Sequence, residues 1–437
     1  MSVPPPGPRL PAAVQTMLYW ASPRRTVRRW RGTHGDVIGA TIRPMGEVVF
    51  LCGAGDIKEL MRADPETFRA GAANAALGGA SSSFSVLIAD GPRHTGARAV
   101  MMPAFHGRAV RAQVESMAAI TDANMATWPV GRPFALHRYT KEIALDVILR
   151  VVMGVGADRL DEIRTAMLRL SRTESAVELA LGSPLFARLL PYARQRERHL
   201  ADSHRLLREL IASHRADPEL DKRVDALALL VGARDENGEP LSDREIEDQL
   251  ITLLVAGYET TAAGLAWTFE QLVRAPEVLA KATSAADTDD DEYLDALVKE
   301  SLRLRTVVPD LSRMAMTDVD FAGHRIKAGT ILTPCVDVVH ESPEVFGDAG
   351  VLRPERFLED KTAAVNWLPF GGGIRRCLGA TFALVEMRTV IKRMLREFEF
   401  APSTAPGERL VRRHITAEPG RGATVTVRAR TAVAAAR

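Results

Sequence analysis

The stretch Phe370-Gly-Gly-Gly-Ile-Arg-Arg-Cys377-Leu-Gly379 places four glycines, two arginines and a cysteine within ten residues. The whole chain has only three cysteines, Cys52, Cys335 and Cys377. A thiolate can act as a nucleophile, as half of a redox pair or as a metal ligand. A redox pair fails for want of a sequence neighbour, and zinc would need more ligands than stand nearby. A nucleophile needs a base; no histidine is close in sequence, although a fold could bring one. No G-K-[ST] follows the glycines, so this is not a phosphate-cradling loop.

A second stretch, Ala256-Gly-Tyr-Glu-Thr-Thr261, interrupts the apolar run ITLLVAGYETTAAGLAW. Glycine inside a helix costs about 1 kcal/mol relative to alanine. A buried carboxylate costs several kcal/mol more unless it is paired. Such local costs mark functional sites. Gly257 is expected to open space for a small ligand beside Ala256. Thr260 is expected to bond back to a carbonyl and loosen the helix, and Glu259 to relay protons through water.

Charged pairs complete the set. Glu300 and Arg303 stand at i, i+3, close enough to pair on one helix face. Arg356 follows in Pro354-Glu-Arg-Phe357. His94 and Arg98 stand at i, i+4 on a helix beginning near Pro92, and Arg313 lies just past the Glu300 helix.

Haem ligation explains the cysteine loop better than the other roles. The iron needs an anionic sulfur on a loop that approaches a flat macrocycle closely. Glycines let the backbone come near and turn N–H groups towards the sulfur, which helps to set its redox potential. The pattern F-x-x-G-x-R-x-C-x-G, filled by Phe370, Gly373, Arg375, Cys377 and Gly379, resembles the haem-binding loop of the cytochrome P-450 superfamily. The stretch from Ala256 to Thr261 is similar to that family's oxygen-activation motif, [AG]-G-x-[DE]-T-[TS].

The resemblance spans most of the chain and carries further expectations. It implies haem b, with Cys377 as the iron ligand and His94, Arg98, Arg313 and Arg375 as propionate partners. It implies that Glu259 and Thr260 manage proton delivery. It also implies a structural network of Glu300, Arg303 and Arg356 behind the loop. The activity implied is haem-dependent monooxygenation, with electrons from a ferredoxin and its reductase. Arg108, Arg111, Arg376 and Arg388 would form a basic docking face for that partner. By analogy, Phe84, Leu87, Leu253, Val307, Val308 and Ile415 line the substrate pocket. These are mostly aliphatic and include no charged anchor, which suggests a lipid-like or terpenoid substrate. Two alternatives stay open: a peroxide-driven or rearranging enzyme on the same scaffold, and a non-catalytic haem carrier or gas sensor.

The elements that must position these residues are mainly helical, with a smaller β region. Proline marks residues 1–10. A short helix follows, and then GDVIGATIRPMGEVVFLCG alternates like a hairpin around Pro44-Met-Gly46. A helix is expected at about 56–62. Gly71–Ser85, rich in Ala, Gly and Ser, reads as a loop. Helical periodicity runs from Pro92 to about Val231, with breaks near Gly131-Arg-Pro133 and Ser183-Pro184. Ser242-Asp-Arg-Glu245 is a capping box. It opens a helix of about 30 residues, a rod of roughly 45 Å. Apolar nearly all round, that helix should be buried across the haem. Further helices are expected at about 291–305 and 380–397, with strand-like pieces at 318–321 and 330–334. No internal repeat or linker divides the chain, so residues 1–437 read as one catalytic domain with a loose tail at 431–437.

Composition adds bounds. The net charge of +2 gives no reason to expect a nucleic-acid partner. Three scattered cysteines give no disulfide framework and suit a reducing cytosol. No apolar run approaches the roughly 18 residues of a membrane span, and the N-terminus lacks a signal peptide's order. The basic stretch SPRRTVRRWR could touch an anionic membrane or an acidic partner, although a solvated helix face is the plainer reading. A monomer is expected.

Overall fold

A computed structural model describes residues 3–76, 84–173, 191–235, 237–359, 361–413 and 415–430. The break expected at Ser183-Pro184 and the tail at 431–437 lie outside these residues. Helices dominate, and a small five-stranded sheet collects the β region.

Alternating side chains in Val37–Ile42 and Gly46–Leu51 form the expected hairpin, with Ile42 opposite Gly46. Gly46 sits at φ +83°, a left-handed position that glycine adopts without strain. Gly46–Leu51 then pairs in parallel with Ile331–Pro334. Arg313–Ala315 and Phe68–Arg69 extend the same sheet. The sheet thus ties the N-terminal hairpin to the segment after the Glu300 helix. Two short helices, Ala12–Ala21 and Pro23–His34, precede the hairpin where one was expected.

The central element is the helix Asp243–Leu272. Ser242 Oγ accepts from Glu245 N–H, and the Glu245 carboxylate accepts from Ser242 N–H, closing the capping box. Leu250, Leu265, Trp267 and Phe269 are wholly buried along it. It is the one helix among the described residues long and apolar enough to cross a membrane, yet 72% of its apolar window is buried inside the fold. It packs on Leu136–Val147, where Thr140 Oγ1 donates to Ala262 O at 3.0 Å. On another side, Gly264 admits Met387 of Ala380–Glu397. A Cβ at Gly264 would lie 3.0 Å from Met387 Cε.

The segment expected as a loop after Gly71 begins instead with a helix, Ala70–Ala76. Both carboxylate oxygens of Asp90 accept from its first free amides, Gly71 N–H and Ala72 N–H, each at 2.9 Å. Alanine is the best helix former, and a cap from 18 residues downstream completes the helix.

Candidate active site

The cysteine loop is shaped by its glycines. Gly371 and Gly373 adopt φ +67° and +62°. A Cβ on Gly373 would stand 2.0 Å from the Met61 carbonyl oxygen, so only glycine fits against Ala54–Arg62. Phe370 O accepts from Cys377 N–H at 2.9 Å and closes the loop. Gly379 differs from the other glycines. Its φ is −85°, it caps the helix Ala380–Glu397, and a Cβ there would meet nothing nearer than 3.9 Å.

Cys377 is exposed at its surface, yet protein surrounds it closely enough for burial to raise its thiol pKa. Opposing that rise are the Gly379 N–H, donating to the sulfur, and the charges of Arg98 and Arg376.

The cationic groups expected around the loop are brought together. His94 and Arg98 lie on the helix Gly91–Met101. Burial, together with Arg375 and Arg98, pushes the His94 pKa down to about 4, so its ring is neutral. Its Nδ1 is buried with no hydrogen-bond partner among the described residues. Burial, and after it Arg375, holds Arg313 down at about 10. Among the described residues, Arg313 donates only to the carbonyls of Leu311 and Ser312. Arg375 pairs with Asp90 and donates to Ala89 O at 2.5 Å and Val86 O at 3.2 Å. Its guanidinium therefore ties the loop to segment 84–90.

That segment also clasps the long helix. Gln249 Nε2 donates to Phe84 O at 2.5 Å, and Gln249 Oε1 accepts from Val86 N–H at 3.1 Å. Thr252 Oγ1 donates to Ser85 Oγ at 2.7 Å. One short strap thus joins the cysteine loop to the helix that carries Glu259 and Thr260.

Along the helix, Thr260 Oγ1 donates to Ala256 O at 2.7 Å. The helix nevertheless stays unbroken from Asp243 to Leu272. Glu259 is buried and accepts from the Tyr258 hydroxyl at 2.9 Å. Gly257 is only half-buried, as are Ala256 and Thr260. A Cβ there would meet Ile148 Cδ1 at 2.6 Å, so this glycine makes room for a neighbouring helix's side chain.

Behind the loop, Arg303 grips Glu300 with two bonds of 2.8 Å, and both residues are essentially without exposure. Arg303 also donates to His340 O at 2.5 Å and Ala349 O at 2.9 Å. Arg356 Nε lies 3.5 Å from Glu300, and its other nitrogens donate to Phe346 O and Asp348 O.

Sequence reasoning missed His340 here. Its Nε2 accepts from Leu368 N–H at 3.0 Å, so the other nitrogen carries the proton and donates to Thr306 Oγ1 at 2.8 Å. Burial, and then the Arg303 charge, push its pKa down to about 3. His340 thereby connects the Glu300 helix and the wall segment at Val307 to the entrance of the cysteine loop. Trp367 adds a parallel tie through Lys299 O at 2.8 Å. No local motif around either residue announces these long-range bonds.

The expected pocket residues separate. Leu253 and Val307 are buried in one apolar cluster, against which Val308, Val86 and Phe370 pack. Phe84 lies under the Arg93 guanidinium at 5.1 Å. Leu87 and Ile415 are exposed at 40% and 52% and lie outside that cluster. Of the four docking arginines, Arg108, Arg111 and Arg376 are exposed. Arg388 is held by Asp295 at 2.9 Å.

The sequence profile of the family Cytochrome P-450 matches residues 2–420. The cytochrome P-450 135B1 of Mycobacterium tuberculosis strain H37Rv is 42% identical over 432 residues, covering 97% of this chain and 91% of its own. Cytochrome P-450 137 of the same strain is 36% identical, covering 95% and 88%. Among solved structures, a retinoic acid-bound cyanobacterial CYP120A1 superposes with a TM-score of 0.82 at 23% identity, covering 98% of this chain and 100% of its own. The haem domain of cytochrome P-450DA gives 0.84 at 21% identity, covering 99% and 98%. The chain belongs to the cytochrome P-450 family and has its fold.

The cofactor of that family is haem, and the residues present fit it. Haem brings two carboxylates and an iron that takes an axial thiolate. The charged groups acting on His94 are Arg375, Arg98 and Arg313 with one acid, Asp90, so the cluster has positive charge to spare for two propionates. The orphaned His94 Nδ1 supplies a further polar atom there. The glycine-shaped loop offers Cys377 at an accessible position, with the Gly379 N–H on its sulfur.

Proposed function

We propose that this chain, acting as one catalytic domain, inserts one atom of dioxygen into an apolar organic substrate by hydroxylation or epoxidation. Electrons would come from a ferredoxin and its reductase. The observation that carries the reading is the strap at 84–90. It bonds at once to Arg375 of the thiolate loop and to Gln249 and Thr252 of the helix bearing Glu259 and Thr260.

Haem, when bound, supplies the activation of dioxygen with two electrons and two protons. The chain's own residues do the rest. Cys377 holds the iron, while His94, Arg98, Arg313 and Arg375 hold the propionates. Thr260 carries a hydroxyl whose bond to Ala256 O can be exchanged for one to water. Glu259, oriented by Tyr258, is the adjacent proton store. Leu253, Val307 and Val308 exclude water and favour an apolar substrate. Exposed Arg108, Arg111 and Arg376 suit an acidic electron donor, which their charge would steer to this face.

Thr260→Ala tests the proton assignment. It should leave haem binding intact while more of the oxygen consumed ends as peroxide and less as product. Unchanged coupling would remove Thr260 from the mechanism. Titrating the ferric absorption spectrum with fatty acids, terpenes, steroids and aromatic polyketides tests the substrate class. A Soret shift with one class identifies the pocket's preference. A Soret band that no apolar compound moves would reject the apolar reading.

A further inference from the structure

The first helix is inverted. Ala12–Ala21 turns polar Gln15 inward with Tyr19, while Met17, Leu18 and Trp20 stand 63%, 37% and 41% exposed. Gln15 is tied down by Leu10 O at 2.8 Å and by Thr41 N–H at 2.9 Å, which fixes the helix in this orientation. Ala13, Met17 and Trp20 recur at i, i+4 and i+7, so they form an outward apolar stripe. Leu10, 42% exposed, extends it. No charged residue occurs between Leu10 and Ser22. A soluble surface rarely gathers large apolar side chains in this way without a partner.

The flanks are basic. On the next helix, Pro23–His34, Arg24, Arg28 and Arg31 face acids: Asp337, Glu341, Asp36 and Glu344. Arg25 and Arg29, one turn apart, are exposed and make no ion pair or side-chain hydrogen bond among the described residues. The same holds for Arg9 and for Arg43, whose carbonyl accepts from Trp20 Nε1 at 2.9 Å. The acid at this corner is Glu47, which accepts from the Thr41 hydroxyl. Seven arginines against five acids, with Arg9, Arg25, Arg29 and Arg43 unpaired among the described residues, leave this corner net positive, a basic rim beside an uncharged apolar stripe.

We propose that this N-terminal corner docks on an anionic lipid bilayer, inserting Met17, Leu18 and Trp20 shallowly while Arg9, Arg25, Arg29 and Arg43 meet the headgroups. An uncharged apolar face with tryptophan at its edge and arginines beside it is the arrangement that lies in a membrane interface. A bilayer satisfies both parts at once, since acyl chains take the stripe and lipid charge takes the rim.

The test is flotation of the haem-loaded, full-length protein with vesicles of phosphatidylcholine alone or with phosphatidylglycerol added. The protein should float with the anionic vesicles, and less as salt rises. Each interfacial arginine contributes about 1 kcal/mol, so Arg25→Glu with Arg29→Glu should weaken partitioning more than about tenfold. Met17→Glu with Trp20→Glu should abolish it, with the Soret band unchanged in both variants. Absence of flotation at low salt would overturn the proposal, as would flotation indifferent to the apolar pair. A solution dimer that Met17→Glu with Trp20→Glu converts to monomer would also overturn it, by assigning the stripe to a second copy.

Discussion

The two faces of the candidate haem site are built to different rules. Behind the cysteine loop, Glu300, Arg303, Arg356 and His340 are buried; the two arginines share Glu300 and donate to the carbonyls of His340, Phe346, Asp348 and Ala349, and the His340 ring accepts from Leu368 N–H. On the other face, the strap at 84–90 hangs from the long helix by Gln249 and Thr252, with Leu87 40% exposed. The first face leaves little room for sequence change, because removing one charge strands another in low dielectric. The second leaves the strap's own side chains at 84, 86, 87 and 89 freer to vary, because Arg375 and Gln249 hold it through its backbone groups. Chemistry common to a family suits the first, and selection among substrates suits the second.

The sharpest way to break this comparison is Glu300→Ala. It leaves Arg303 and Arg356 buried without their counter-charge and should cost about 3–5 kcal/mol. Almost no haem-loaded protein should be recovered, read as the ratio of Soret to protein absorbance. Replacing Glu300 and Arg303 together by apolar residues of similar volume should cost less than the single change. If the double variant is no better, the pair is more than mutual compensation.

Next in size, Gly373→Ala forces a left-handed φ and a clash with Met61 O, costing about 2 kcal/mol or more. Gly379→Ala, at ordinary φ and in open space, should leave the denaturation midpoint within about 0.5 kcal/mol of the parent. Equal effects would mean that the two glycines serve one purpose.

His340 gives a pH signature. Its folded pKa of about 3 lies below the ordinary 6.5, so between these values the unfolded chain binds the extra proton. Its contribution to stability is complete above about pH 6.5 and is lost as the pH falls towards 3. His340→Asn should flatten that acid limb of the stability profile, and His340→Leu should destabilise by about 1–3 kcal/mol at neutral pH. An acid limb that does not change would place the titration elsewhere.

The smallest effect belongs to the strap. Gln249→Ala should cost about 1 kcal/mol or less in global stability, yet change which apolar compounds shift the ferric Soret band. A variant that loses stability without altering ligand preference would make the strap a structural part like the other face.

Local signals made much of this legible. The capping box at Ser242 and Glu245, the hairpin around Pro44 and the helix Ala380–Glu397 all depend on neighbours in sequence. The i, i+3 spacing of Glu300 and Arg303 and the fixed spacing around Cys377 are local in the same sense. What escaped depends on distant partners. Ala70–Ala76 is capped by Asp90. The strands Phe68–Arg69 and Arg313–Ala315 are too short to show a period and exist because they pair with each other. That Gly257 also makes room for Ile148, more than 100 residues earlier, has no local signal. His340 carries no spacing clue because its partners, Thr306 and Leu368, lie 34 and 28 residues away.

The bonds from Arg375 to Val86 and Asp90 close loops of 289 and 285 residues. A ribosome extends the chain from its N-terminus, so His94 and Arg98 emerge long before the cysteine loop exists. The strap at 84–90 must therefore wait, with half its bonds unmade, until residue 375 has been synthesised. Contacts of such separation form late and slowly. A nascent chain stalled before residue 375 would already carry His94, Arg98 and Arg313, yet lack both Arg375 and the cysteine loop, so the candidate site cannot be assembled before that loop emerges.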